Sequence, residues 1–131
     1  MNIEQFKDID DLLNTLISEG KAKNRTEARA KAQKLIPKES AFQAKIMRYL
    51  KTRPDCLAWK DQAGMFQARG VPDIICIKDG RFYGFEVKRP FFGVLSDIQK
   101  QFHTKIRKAG GRMHVVSYVS EVKAILDGEA E

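Results

Sequence analysis

Apolar residues recur at helical spacing in the N-terminal part of the chain, and this periodicity predicts three helices. The first spans residues 6–19 and ends at Gly20, and the second begins with the capping-box pattern at residues 24–27 and reaches Leu35 before Pro37. The third spans residues 38–51, and its inward-facing stripe consists of Phe42, Ile46, Tyr49 and Leu50.

The rest of the chain alternates between short β-rich runs and amphipathic segments. Strands are predicted at residues 56–60, 74–78 and 81–87, and the last two flank Asp79-Gly80, a strong signal for a two-residue type I′ hairpin turn. A capping box at residues 96–99 opens a helix that stops at Gly110-Gly111. A strand follows within residues 112–119, and Ser120 is predicted to cap a last helix through Leu126. This order predicts an α/β fold with a mixed β-sheet flanked by helices.

The register of the predicted hairpin follows by counting outward from its turn, and it brings three charged residues together. Asp73 faces Glu86, and Lys88 lies on the same side of the sheet, roughly 6.8 Å further along the strand. Two opposed carboxylates repel each other, whereas a divalent cation between them would turn the repulsion into coordination. Alternatively, Lys88 neutralises an ion cluster at the sheet edge and Asp73 caps the strand. The hairpin alone leaves both interpretations open.

Composition and charge narrow the class of protein. The chain has 131 residues, of which 43% are hydrophobic and 31% charged, which is typical of one folded domain. No apolar run approaches the roughly 20 residues of a membrane span, and no signal-peptide pattern is present, so we expect a cytoplasmic protein without a membrane partner. Cys56 and Cys76 form no CxxC motif and are interpreted as reduced packing residues. The net charge of +7 favours a polyanionic partner.

Charge is segregated within the N-terminal helices. Residues 1–19 carry Lys7 against five acidic residues, a net charge of −4, whereas residues 20–38 carry seven Lys or Arg against Glu27, a net charge of +6. The basic run either contacts phosphates or forms a solvated face that pairs with the acidic first helix. Residues 1–37 are interpreted as a helical extension of the α/β domain at residues 38–131.

Three further polar residues have both a functional and a structural interpretation. Glu39 lies at the start of the apolar stripe of the third helix. There it either interacts favourably with the helix dipole or points at the same metal as the hairpin carboxylates. Gln99 either completes its capping box or is offered to the substrate, and capping is the more economical role. His103 is interpreted as a surface or structural histidine rather than a general base.

Taken together, these motifs resemble the VRR-NUC family of PD-(D/E)xK nucleases, in its short stand-alone form. The resemblance rests on Glu39 on a helix, then GVPD at residues 70–73, EVKRP at residues 86–90 and SxxQ at residues 96–99. It covers about residues 38–120 and leaves the N-terminal helices outside. The joint occurrence of these motifs in order, with Asp-Gly turning the hairpin, is specific.

The resemblance implies a restriction-endonuclease-like core that cleaves DNA phosphodiesters with Mg2+ or Mn2+. The site residues that it assigns are the metal ligands Asp73, Glu86 and Val87 (through its carbonyl), the helix carboxylate Glu39 near the metal, the catalytic Lys88 and the motif glutamine Gln99. The basic residues expected to contact DNA are Lys60, Arg69, Arg89, Lys21, Lys23 and Arg25.

These observations lead to a functional prediction. We expect a metal-dependent DNA endonuclease, structure-selective and similar to Holliday-junction resolvases, that acts as a homodimer in a bacterial or phage-infected cell. One alternative keeps the chemistry but makes the protein a nickase or flap nuclease of a replication or repair module. The other is a non-catalytic basic DNA-binding module, in which the carboxylate cluster is an ion site that stabilises the fold.

Overall fold

The computed structural model describes residues 1–61 and 70–128. After a short 3-10 helix at Ile3–Gln5, the elements in chain order are α1 (Ile9–Ser18), α2 (Arg25–Leu35), α3 (Glu39–Thr52), β1 (Cys56–Lys60), β2 (Ile74–Lys78), β3 (Arg81–Val87), α4 (Asp97–Lys108), β4 (Arg112–Val116) and α5 (Val119–Leu126). The predicted order of helices and strands is therefore confirmed. No helix in the described part of the chain has both the length and the apolar character needed to cross a membrane.

The four strands form one mixed sheet in the order β1-β2-β3-β4. Strands β1, β2 and β3 pair antiparallel, whereas β4 lies parallel to β3. Parallel neighbours need a crossover connection, and α4 lies in the one between β3 and β4. The predicted α/β fold with a mixed sheet is confirmed.

The β2–β3 hairpin has the predicted turn and register. Asp79 and Gly80 have φ angles of 53° and 74°, and a type I′ turn requires positive φ at both of its central positions. Ile75 lies opposite Gly84, and the ladder ends at the pair Ile74–Phe85. The next residues outward from that pair are the two acidic residues of the site.

One hydrophobic core includes residues from both the N-terminal helices and the sheet. Its fully buried members include Leu13 of α1, Ala28 of α2, Ile46 of α3 and Phe85 of β3. The small Ala28 side chain lets α1 and α2 pack closely, and α3 lies against β1 and β3. The helical extension predicted at residues 1–37 therefore packs into the same core as the sheet.

Arg89 joins this helical extension to the end of β3. Its Nε donates a hydrogen bond to the carbonyl oxygen of Pro37 at 3.1 Å, and its Nη2 donates to Ile36 O at 2.8 Å and to Gln33 O. The last carbonyls of a helix have no partner within the helix, so an arginine there satisfies them and favours the negative end of the helix dipole. The C-terminal end of α2 is thus held beside Lys88.

Two predicted helix boundaries are wrong. Helix α1 begins at Ile9 rather than at residue 6, because the side chain of Asp8 accepts a hydrogen bond from the N–H of Asp11 and caps the helix there. Ser120 does not cap α5, which begins at Val119. The carboxylate of Glu121 instead accepts hydrogen bonds from the N–H groups of Ser117 and Tyr118 at 2.8 and 2.9 Å, so the helix starts before Ser120.

Gly70 provides a test of how closely α4 packs on the segment before β2. Gly70 has a φ of +85°, and a Cβ atom there would lie 2.6 Å from the carbonyl oxygen of Ile98. Gly20 has a similar φ of +74°, with nothing within 4 Å of a Cβ. We expect Gly20→Ala to cost about 1 kcal/mol of unfolding free energy for the backbone conformation alone, and Gly70→Ala to cost clearly more. Urea denaturation of both variants measures the difference, and equal losses would contradict the close contact.

Candidate active site

Asp73 and Glu86 form the centre of the candidate site, at the end of the hairpin where the sequence predicts them. The Oδ2 atom of Asp73 accepts a hydrogen bond from the backbone N–H of Val87 at 2.8 Å, which holds this carboxylate against β3. The side chain of Glu86 is only 1% exposed. Burial, together with a hydrogen bond and the negative charge from Asp73, raises the pKa of Glu86 to about 9. Without a cation, Glu86 therefore keeps its proton at neutral pH.

His103 of α4 lies against Glu86 in the interior. Its Nε2 atom is 3.6 Å from Oε1 of Glu86, and neither atom has a hydrogen-bond partner among the described residues. Burial and the positive charge of Arg107 lower the pKa of His103, which favours the neutral imidazole. His103 is 1% exposed, so the structure rules out the surface position that the sequence left open for it.

Lys88 and Glu39 lie on the more accessible side of the carboxyl pair. The Nζ atom of Lys88 is 4.0 Å from Oε1 of Glu39, and the two side chains are 16% and 40% exposed. Partial burial raises the pKa of Glu39, the positive charge of Lys88 lowers it and the charge of Asp73 raises it. The structure therefore brings together Glu39, Asp73, Glu86 and Lys88 from one helix and one hairpin.

The backbone around Lys88 is anchored to the end of β4. Its N–H donates to the carbonyl oxygen of Val116 at 2.9 Å, and its own carbonyl oxygen accepts a hydrogen bond from the Ser117 hydroxyl at 2.6 Å. These bonds fix the base of the lysine and leave its ammonium group to reach into the site. The N–H of Val87 is bound to Asp73, and the ligand role of the Val87 carbonyl stays a prediction.

Gln99 completes the capping box of α4. Its Oε1 accepts a hydrogen bond from the N–H of Ser96 at 2.9 Å, and its own N–H donates to the Ser96 hydroxyl oxygen at 3.1 Å. The structural interpretation of Gln99 is therefore sufficient, and a contact with the substrate stays a prediction. Gln43 was not selected as a site residue in the sequence analysis, but it is buried on α3 one turn after Glu39. The sequence signal for its position is the i, i+4 spacing from Glu39, which places both residues on one face of the helix.

The basic residues predicted to contact DNA have different environments. Arg89 is committed to the carbonyls at the end of α2, Lys21 lies 3.4 Å from Glu19, and Arg25 pairs with Asp10. Lys60 and Lys23 are exposed. Arg69 lies outside the described residues. None of the other five forms a hydrogen bond or ion pair with the side chains of Asp73 or Glu86 in the part of the chain that the structure describes.

The donor set at the hairpin end fits a hard divalent cation. Asp73 and Glu86 are opposed carboxyl groups that otherwise hold a proton between them, and Oε1 of Glu86 is buried without a hydrogen-bond partner in residues 1–61 and 70–128. Within residues 1–61 and 70–128, no group of three or more His, Cys, Asp or Glu side chains is arranged to hold a metal. Mg2+ commonly binds through one or two carboxylates and keeps several waters, so a pair of carboxylates meets its usual requirement.

The raised pKa of Glu86 predicts that the folding stability of the metal-free protein depends on pH. Between pH 4.5, the usual value, and about 9, the unfolded chain has lost the Glu86 proton while the folded chain retains it, so folding stability falls as pH rises. The Glu86→Gln variant cannot ionise. In EDTA, its unfolding free energy should therefore rise relative to wild type as the pH is raised from 5 to 9. Parallel curves for the two proteins would contradict this, and Glu19→Gln, at an exposed carboxylate, is the matched control.

Comparison with known proteins gives one informative likeness. No protein-family model matches the chain, and none of the curated proteins matches it. A solved structure described as a VRR_NUC domain is similar with a TM-score of 0.56 and 22% sequence identity, over 68% of this chain and 94% of that one. At this level of identity, structural likeness is informative about fold. The chain therefore has the fold of a VRR_NUC domain, as its sequence motifs predicted.

Proposed function

We propose that this chain is a member of the VRR-NUC family and a metal-dependent DNA endonuclease that hydrolyses phosphodiester bonds with Mg2+ or Mn2+. The observation that carries the proposal is the pair of the partly buried Asp73 and the buried Glu86, which has Lys88 and Glu39 on its accessible side. The likeness to a VRR_NUC domain supports it, because the same motifs suggested that family from the sequence. The net charge of +7 suits a nucleic-acid substrate.

Each residue has a role that its position allows. Asp73 and Glu86, with the Val87 carbonyl, would hold the metal ion, and Glu39 would orient a water near it. A bound Mg2+ or Mn2+ lowers the pKa of a bound water and stabilises negative charge on the phosphate. Lys88 places its ammonium group where it can position the attacking water or stabilise the developing charge on the phosphate oxygens.

The position of Lys88 argues against a purely structural ion cluster. A lysine that served to neutralise the buried pair would form its ion pair with Asp73 or Glu86. The ion pair recorded for Lys88 in the described part of the chain is instead with Glu39, at 4.0 Å. The pKa of Glu86 remains raised to about 9 although the charge of Lys88 acts to lower it. Lys88 is therefore not the direct counter-ion of Glu86, and the cleavage panel below decides between catalysis and the non-catalytic DNA-binding module.

The finer part of the proposal concerns the DNA structure and the assembly. We propose a homodimer in which two subunits related by a twofold axis cut opposing strands of a branched DNA, in the manner of a Holliday-junction resolvase. This part rests on the family resemblance. A nickase or flap nuclease would use the same site on a different DNA geometry.

Cleavage of a matched DNA panel tests the proposal. The panel contains a four-way junction, a splayed arm, a flap, a linear duplex and a single strand, each with Mg2+, Mn2+ or EDTA. We expect metal-dependent cutting, and Asp73→Ala or Lys88→Ala should lower its rate by at least about 100-fold while DNA affinity is largely kept. Glu19→Gln is the surface control and should cut like wild type.

The panel also separates the alternatives. Symmetric cutting that is confined to the junction supports the resolvase-like function. Equal cutting of every DNA would contradict the resolvase-like function but would still support a nuclease. Cutting that favours the flap or leaves a single nick selects the alternative enzyme. Tight binding without cutting in either metal would leave the non-catalytic DNA-binding module as the better account.

His103 is expected to act as a positioning residue for Glu86. Replacing it with Leu removes the group that faces Oε1 of Glu86, whereas Gln keeps a donor at similar reach. Because residues behind metal ligands commonly contribute 10- to 100-fold to affinity, we expect His103→Leu to weaken Mg2+ binding by about 10-fold and His103→Gln to recover part of that loss. Calorimetric titration of Mg2+ without DNA measures both. If His103 has a purely structural role, replacing it will lower the unfolding temperature and leave the Mg2+ affinity unchanged.

A further inference from the structure

Two shallow grooves follow the surface of α2 and end at the candidate site. The first, of about 590 Å3, is lined by Thr26, Arg29, Ala30, Gln33 and Lys34. The second, of about 510 Å3, is lined by Gln33, Lys34, Ile36, Lys38, Glu39 and Arg89. Because both contain Gln33 and Lys34, they form one continuous surface, which we call the α2 groove. Its far end is Glu39, the carboxylate that lies 4.0 Å from Lys88.

The α2 groove is strongly positive. Four of its lining residues are basic, namely Arg29, Lys34, Lys38 and Arg89, and Glu39 is its acidic lining residue. Glu39 belongs to the candidate site itself, so the approach to that site carries uncompensated positive charge. A surface of this kind attracts the phosphate backbone of a nucleic acid.

The basic run of the N-terminal helices is divided by its contacts into two parts. Lys21 and Arg25 pair with Glu19 and Asp10 of the acidic helix α1 and its C-cap, and Lys31 donates to the carbonyl oxygen of Lys21. Lys34 and Lys38 are exposed and have no carboxylate within ion-pair distance in the described part of the chain. The charge of these two lysines is therefore available to a partner.

The α2 groove is also held in a fixed position beside Lys88. The guanidinium groups of Arg29 and Arg89 lie 5.2 and 5.3 Å from the centre of the Phe92 ring. Arg89 in addition donates hydrogen bonds to the last carbonyls of α2 and directly follows Lys88 in the chain. Because α2 and Lys88 share this anchor, a strand bound along the groove would reach Lys88 in a defined register.

We propose that the α2 groove binds the phosphate backbone of the DNA strand that is to be cut and leads it past Glu39 to Lys88. This inference rests on the proposed nuclease function and assigns a substrate-binding role to the helical extension, which lies outside the family resemblance. Lys34 and Lys38 make the phosphate contacts, with Arg29 further along the strand. The predicted contacts at Lys21 and Arg25, which pair with Glu19 and Asp10, are correspondingly minor.

DNA affinity measured without metal tests the inference separately from cleavage. Fluorescence anisotropy in EDTA, with a labelled duplex or junction, compares wild type with Lys34→Gln/Lys38→Gln. The matched control is Lys105→Gln/Lys108→Gln, which removes the same charge from the exposed last turn of α4. We expect the groove variant to bind about 10-fold more weakly than the control. For the groove variant, the slope of log Kd against the logarithm of the salt concentration should be smaller by about 2, because two phosphate contacts are lost.

A third variant, Lys21→Gln/Arg25→Gln, separates the groove from the rest of the basic run. We expect its loss of affinity to be close to that of the α4 control. Equal losses in all three variants would mean that only net charge matters and would overturn the inference. A larger loss in the Lys21/Arg25 variant would move the contact to the other part of the run and would also overturn it.

The result can be distinguished from a failure of the proposed function. If the protein binds DNA through the groove but cuts none of the panel with either metal, the nuclease proposal fails while the groove assignment stands as a DNA contact. If the protein cuts DNA and the groove variant binds like its control, only the groove assignment fails. Thermal melting of all variants confirms that these exposed substitutions leave the fold intact.

Discussion

The opposition of two carboxyl groups at the open end of the β2–β3 hairpin is the constraint on which the rest of the site depends. The type I′ turn at Asp79-Gly80 sets the register, and the Asp73–Val87 hydrogen bond holds the pair in place. Burial raises the pKa of Glu86 to about 9, which shows that placing this carboxyl group here costs folding stability. A pair of apolar side chains at the same two positions would cost less. Costs of this kind concentrate at functional sites, where a ligand offsets them.

Close packing around the hairpin allows this arrangement to form. A Cβ on Gly84 would lie 2.7 Å from Sδ of Met113 and 2.8 Å from Cγ of Pro72, so the absence of a side chain lets Pro72 pack directly on β3. Gly70 makes the same kind of approach to α4, through the carbonyl of Ile98. The segment that carries Asp73 is thus fixed between the sheet and the helix that supplies His103.

The sequence predicts those parts of the site that depend on local rules. A two-residue turn and a side-chain period of two are enough to oppose Asp73 and Glu86 and to place Lys88 on the same face. The contacts of Glu39 with Lys88 and of His103 with Glu86 join residues far apart in the chain, through helix packing that no local pattern encodes. The capping error at Ser120 has the same origin, because the Ser120 hydroxyl donates to Glu4, far away in the chain, and the carboxylate of Glu121 accepts the N–H groups at the start of α5 instead.

Of the two interpretations that the sequence left open for the basic run, pairing with the acidic first helix and its C-cap holds for Lys21 and Arg25, and contact with phosphates is our proposal for the other end of the run. Arg25 faces the acidic helix and pairs with Asp10, whereas Lys34 faces the approach to Glu39. The difference follows from the Arg89 anchor, which holds one end of α2 beside Lys88 while the other end packs on α1. One short helix can therefore pair with α1 at its beginning and place exposed positive charge beside Glu39 at its end. For this reason the helical extension is best considered together with the site.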